Sequence, residues 1–132
     1  NCTKSKITTV KGKTGEKKTV VKNTSAGKYV CYCAGYTLNH EHGITIFDYN
    51  PVSGRMTERS KVKITNASYI SISHNGKYLY SITDFGVKSF RILEDGSLEE
   101  LNEASINGMR GCYLSVDYSD HFVFVSGYSY FG

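Results

Sequence analysis

Tryptophan is absent from these 132 residues, and Pro51 is the single proline. No stretch approaches the roughly 18–20 consecutive apolar residues of a membrane-spanning helix, and no charged-then-apolar leader stands at the start. A cytoplasmic protein with no membrane partner is therefore expected. The chain opens on Asn1 rather than Met, so removal of an upstream segment is expected. Acid and aromatic side chains are both scarce in the first 28 residues, which hold eight lysines against Glu16 and no aromatic ring. All 17 tyrosines and phenylalanines lie from Tyr29 onward, and the net charge of residues 29–132 is −3 against +4 for the whole. Charge and aromatic content change together, which predicts a basic extension over 1–28 and a folded body over 29–132. A lysine-rich arm without arginine or aromatic rings lacks the groups that stack on bases, so no nucleic-acid partner is expected.

Four cysteines are too few, and too awkwardly placed, for a disulfide framework. Cys31 and Cys33 fall on one face of a predicted strand and cannot readily bridge each other. Cys31, Cys33 and Cys112 are read as buried thiols in a reducing compartment.

Helical periodicity is missing as well. From Ser68 to Ser105 the chain shows four short apolar or alternating runs, at 69–73, 77–83, 87–93 and 97–104. They are separated by His74-Asn75-Gly76, Asp84-Phe85-Gly86 and Glu94-Asp95-Gly96, turn sequences that supply the positive φ angles of tight hairpins. The unit repeats. Ile72, Tyr78, Leu79 and Tyr80 are matched 44 residues later by Val116, Phe122, Val123 and Phe124. Gly43-Ile44 and Phe47 precede Gly86-Val87 and Phe90 by 43 residues, and Gly54 and Met56 precede Gly96 and Leu98 by 42. Four strands per repeat of this length predict an all-β propeller of antiparallel blades, each sheet burying both faces on its neighbours. Three units are expected, at about 29–64, 68–105 and 112–132. With strands at 29–35, 43–49 and 55–64 in the first and 112–117 and 121–127 in the third, the count is about two and a quarter blades. Closure takes about four to eight blades, so missing C-terminal blades, or association of copies, are expected to cover the sheet edges.

The order of several short motifs resembles the lactonase-type seven-bladed propellers, the family of bacterial 6-phosphogluconolactonase and fungal carboxy-muconate cyclase. The motifs are Gly35-Tyr36-Thr37 with Gly43-Ile44 and Phe47-Asp48; Gly76-Lys77-Tyr78-Leu79-Tyr80; Gly86-Val87-Lys88-Ser89-Phe90-Arg91-Ile92 with Asp95-Gly96-Ser97-Leu98; and Asn107-Gly108 leading to Cys112-Tyr113-Leu114-Ser115-Val116-Asp117. Ala67 stands where the family usually has the proline of an Asn-Pro-Ser turn, and Tyr113 where it often has histidine. The resemblance implies a first blade that takes its innermost strand from the C-terminus, and seven units would need about 310 residues. It implies catalytic His, Arg and Glu in later blades, so no catalytic residue is assigned in this chain.

Loops on one rim of the blades are the candidate ligand site: Thr37 to His42, Thr65 to Ser68, Asp84-Phe85, and Asn107 to Gly111. Arg110 is the leading candidate for gripping a phosphate or carboxylate, with Tyr36 and Asp84 beside it. His40-Glu41-His42 is the one sequence with the look of a metal cluster; because such pairs in loops are more often unligated, His40 and His42 remain bare candidates and no metal or other cofactor is expected. His74 and His121 are read as solvated turn residues on the opposite rim. Ser115 and Ser126 lack the Gly-x-Ser-x-Gly elbow of a serine hydrolase. The resemblance implies hydrolysis of an anionic sugar lactone, such as 6-phosphogluconolactone, on the pentose phosphate route. The alternatives are cycloisomerisation of a muconate-type acid or a non-catalytic binding platform.

Overall fold

The computed structural model describes residues 18–23, 29–37 and 42–128, which contain ten strands and no helix. They form three antiparallel meanders. The first sheet is β1 (Lys18–Asn23), β2 (Tyr29–Ala34), β3 (Ile44–Tyr49) and β4 (Met56–Val62), in that order. The second is β5 (Ile70–Ile72), β6 (Tyr78–Ile82), β7 (Gly86–Ile92) and β8 (Leu98–Ser105). The third pairs β9 (Arg110–Val116) with β10 (Val123–Tyr128).

Turn chemistry fixes these strands. Gly76 and Gly96 adopt φ of 72° and 88°, and each amide donates back to the residue three earlier, Ser73 and Leu93. Between β3 and β4 the Asn50 side chain accepts from the Val52 and Ser53 amides, an Asx turn that reverses the chain at Pro51. The repeat extends to a defect in the ladders. A register shift after Ile46 in the β3–β4 pair recurs after Ser89 in the β7–β8 pair, 43 residues on. These bulges leave Arg59 and Leu101 unpaired and sharpen the twist of each sheet at the same place.

The core lies between the first two sheets. Val30, Tyr32, Ala34, Ile44 and Ile46 from one face Ile70, Ile72, Leu79, Phe90 and Ile92 from the other, all buried. Each buried Val, Leu, Ile or Phe among them contributes about 1.5–3 kcal/mol through the water it leaves. Polar contacts set the angle of the stack. The Tyr32 hydroxyl, buried in this core, donates to the carbonyl of Gly96 at the β7–β8 turn. Arg59 pairs with Asp48 on its own sheet and donates to the Asp95 carbonyl on the next. Burial pushes the Tyr32 phenol well above its ordinary range, with Arg59 partly opposing and Asp95 adding to the shift.

Asp120, at φ 60°, joins the second and third sheets. Its two oxygens accept from the amides of His74 and Asn75 at 2.7 and 2.8 Å. The His74 ring stacks on Tyr118 with centroids 4.9 Å apart, and its Nε2 lies 3.1 Å from the Val116 carbonyl.

Three expectations need correction. Residues 18–23, assigned from their charge to an extension, form β1 and pair with β2 from Lys18↔Ala34 to Asn23↔Tyr29. β1 thus gives the first sheet a fourth strand, and the described residues hold two four-stranded sheets and a two-stranded one. Cys31 is buried and Cys33 half-buried, but Cys112 is exposed at the rim end of β9, where it borders a cleft. His74 is not a solvated bystander: its backbone and ring join two blades.

Asp120→Ala removes the acceptor of two backbone amides and is expected to destabilise the protein by about 1–2 kcal/mol, read as a lower urea midpoint at unchanged slope. A second prediction concerns acid. The Asp117 carboxylate accepts from Ser119 and from the Phe122 amide, with the Ser119 hydroxyl the larger influence, and is held at about 2. Its folded pKa lies below the unfolded value of about 3.9, so its stabilising share is complete above that value and is lost as pH falls towards 2. Asp117→Asn is expected to flatten stability against pH in that window.

Candidate functional site

The short loop after β2 runs Gly35-Tyr36-Thr37, anchored by the Gly35 amide on the Gly43 carbonyl at 3.0 Å. Gly43 must be glycine here, because a Cβ would sit 2.3 Å from the Ile64 carbonyl oxygen and 3.1 Å from the Ala67 methyl. That close approach brings the blade-to-blade loop at 65–68 against the first blade. Ala67 is fully buried in the core, and the turn around it closes through the Ser68 amide on the Asn66 carbonyl at 2.7 Å. The turn therefore forms without the family's proline.

Asn66 is the hub of the rim. It holds φ 49°, a left-handed conformation that asparagine tolerates better than most residues. Its Oδ1 accepts from the Thr37 amide at 2.9 Å, its own amide donates to Thr37 Oγ1 at 3.0 Å, and its Nδ2 donates to Asp84 Oδ1 at 2.7 Å. One side chain thus ties the β2–β3 loop of the first blade to the β6–β7 loop of the second. The second loop is itself rigid, since Thr83 Oγ1 accepts from the Phe85 and Gly86 amides, both at 3.0 Å.

Arg110 opens β9 directly after a tight turn in which Asn107 and Gly108 both take positive φ, 56° and 76°. It pairs in register with Tyr128 on β10. The chain then passes close against the second blade, where Gly111 rests on the Ile82 side chain.

These loops enclose a cleft of about 110 Å³. Tyr36, Asp84 and Arg110, the three binding candidates of the sequence, all line it, together with Asn66, Cys112 and Tyr128. Tyr36 is 76% exposed at the mouth, and Asp84 and Arg110 are also exposed. No carboxylate among the described residues forms an ion pair with Arg110. The cleft offers a guanidinium, a carboxylate, an amide and two phenol rings, which is equipment for binding; its lining contains no histidine.

His42 lies elsewhere, at a hollow of about 520 Å³ on the open face of the first blade, with Cys33, Phe47 and Met56. That hollow is larger, but it is the uncovered side of a sheet and brings no set of charged groups together. His40 falls outside the described residues. Among the described residues no three potential ligands stand close enough to hold a metal.

The sequence placed Thr37 and Asn66 in rim loops without a role of their own and read Cys112 as buried, and it passed over Tyr128 and Tyr69. The ring of Tyr69, just before β5, packs 4.9 Å from that of Tyr113 within β9. Burial, and secondarily Tyr113, raises the Tyr69 phenol above its usual range. Asn66 could have been found: an asparagine in the turn four residues before β5, beside a loop bearing an aspartate, is a ready bridge.

Residues 9–130 match the model of the family described as lactonase, seven-bladed β-propeller. Over 95 residues the chain is 35% identical to a Formosa agariphila protein named 6-phosphogluconolactonase, covering 66% of this chain and 27% of that one. Over 104 residues it is 33% identical to an uncharacterised Staphylococcus epidermidis protein, covering 74% and 30%. The crystal structure of a candidate 6-phosphogluconolactonase from Bacteroides fragilis superposes with a TM-score of 0.69 at 27% identity, over 77% of this chain and 30% of that one. The chain thus spans less than a third of the length of these relatives. With β1 to β10 all inside the matched range, this chain belongs to the seven-bladed lactonase β-propeller family.

Proposed function

We propose that the protein carrying these blades hydrolyses an anionic sugar lactone, with 6-phosphogluconolactone the first candidate. The observation that carries the reading is Arg110, a guanidinium without a carboxylate partner among the described residues, set in an interblade cleft of a lactonase-family chain. The name of the Formosa relative supports the same substrate. A place in the cytoplasm, on the pentose phosphate route, belongs to the same proposal; no described helix is long and apolar enough to cross a membrane.

Hydrolysis adds water to the lactone carbonyl and then breaks the ring C–O bond, leaving a carboxylate and a hydroxyl. The reaction needs a base for the water, donors for the tetrahedral oxyanion, and a fixed grip on the substrate. Arg110 suits the last of these, because its fork meets phosphate or carboxylate oxygens in pairs. At about 110 Å³ the cleft is smaller than the roughly 300 Å³ at which whole-ligand pockets begin, so it fits one end of a ligand. The reacting carbonyl would lie outside it.

One observation favours a second reading. Tyr113 stands where the family often has histidine, and a propeller short of that imidazole could serve as a binding platform instead. The intact natural protein is expected to accelerate lactone hydrolysis above the spontaneous rate. Arg110→Ala is expected to raise KM for the phosphorylated lactone about tenfold or more, with kcat much less affected, as for an interaction made equally in ground and transition states. No acceleration on any sugar lactone, with sugar phosphates still bound, would transfer the protein to the platform reading.

A further inference from the structure

Arg110 and Asp84 line the same small cleft, yet they do not form an ion pair. Exposed opposite charges gain little from pairing, and one of these two is already committed to another partner. Asp84 Oδ1 accepts from Asn66 Nδ2 at 2.7 Å. The Asn66 side chain is itself oriented by the Thr37 amide on its Oδ1, and its backbone amide donates to Thr37 Oγ1. The loop bearing Asp84 is fixed separately by Thr83 Oγ1. One carboxylate oxygen is therefore spent on Asn66 before any ligand arrives, and no hydrogen bond to Oδ2 is made among the described residues.

We infer that Asp84 is a specificity-determining residue that accepts hydrogen bonds from ligand hydroxyls, so that the cleft selects a polyhydroxylated anion over an anion of the same shape without hydroxyls. A ligand entering between the two groups must offer negative charge to Arg110 and O–H donors to Asp84. A sugar bearing one anionic group does both. An unsaturated dicarboxylic acid of the muconate type offers no donor to Asp84 and would set a second carboxylate near it, where the unpaired charge rejects the wrong ligand. The exposed rings of Tyr36, 76% accessible, and Tyr128, 49%, add flat apolar faces suited to the C–H side of a sugar ring.

This inference rests on the proposed reading of the cleft as a substrate subsite, and the test separates the two. Titration calorimetry on the intact natural protein would compare glucose 6-phosphate with cyclohexylmethyl phosphate, which keeps the ring and the phosphate and lacks the hydroxyls. The wild type is expected to prefer glucose 6-phosphate by at least about tenfold, the weight of one hydrogen bond to a charged group. Asp84→Ala should bring the two ligands to near parity by weakening the sugar phosphate alone, whereas Arg110→Ala should weaken both in parallel. Asp84→Asn retains the acceptor for Asn66, and with it the loop, so it reports even where the alanine variant misfolds; it must lower the preference too. Equal wild-type affinities, no binding of either ligand, or a preference untouched by both Asp84 variants would overturn the inference. Lactone hydrolysis measured on the same wild-type sample decides the proposed function separately: hydrolysis with an unaltered preference in the Asp84 variants sinks this inference alone.

Discussion

Each blade is a small twisted sheet with two apolar faces, and neither face is stable in water until another blade lies on it. The contact that sets how the first two blades meet is Tyr32, whose ring is buried between them and whose hydroxyl donates to Gly96 of the next unit. A buried phenol without an acceptor would forfeit about 1–3 kcal/mol, so the turn at Asp95-Gly96 has to sit where Tyr32 points. Gly96 is needed there twice over: its φ is positive, and a Cβ would lie 2.6 Å from Val30 Cγ2. Once that turn is placed, Arg59 reaches the Asp95 carbonyl, and the loops at the opposite rim fall into range of Asn66.

The same logic explains why the candidate site lies between blades rather than on one. Tyr36 comes from the first, Asp84 from the second and Arg110 from the start of the third, residues far apart in sequence whose common location is set by the repeat. The rim that gathers them is also where backbone segments approach too closely for side chains, as at Gly43 against Ile64. Rigid spacing of this kind is what allows an uncompensated charge such as Arg110 to remain available. The opposite rim is tied by different means, through Asp120 accepting from the His74 and Asn75 amides.

Much of this was legible in the sequence because a propeller writes its architecture locally. Alternating strands and Asn-Gly or Asp-Gly turns at a spacing of about 43 placed nine of the ten described strands to within three residues at each end. The tenth, β1, was missed because the cue there was charge: lysines marked 1–28 as solvated, whereas Thr19, Val20 and Val21 between Lys18 and Lys22 are strand formers. Cys112 was misjudged for a related reason, since its strand position was read correctly but its place at the rim end is tertiary. The convergence of Tyr36, Asp84 and Arg110 followed from assigning loops to rims. What could not be read was the Tyr69–Tyr113 contact, because it depends on how neighbouring blades are rotated.

The central claim is that the cleft between the blades receives the anionic end of a sugar ligand. A crystal structure of the intact natural protein with 6-phosphogluconate, the product of the proposed hydrolysis, tests it most directly. The account predicts the phosphate within hydrogen-bonding distance of the Arg110 guanidinium and a ligand hydroxyl on the outer oxygen of Asp84. Ordered ligand elsewhere in the propeller, with Arg110 and Asp84 facing only solvent, would contradict it.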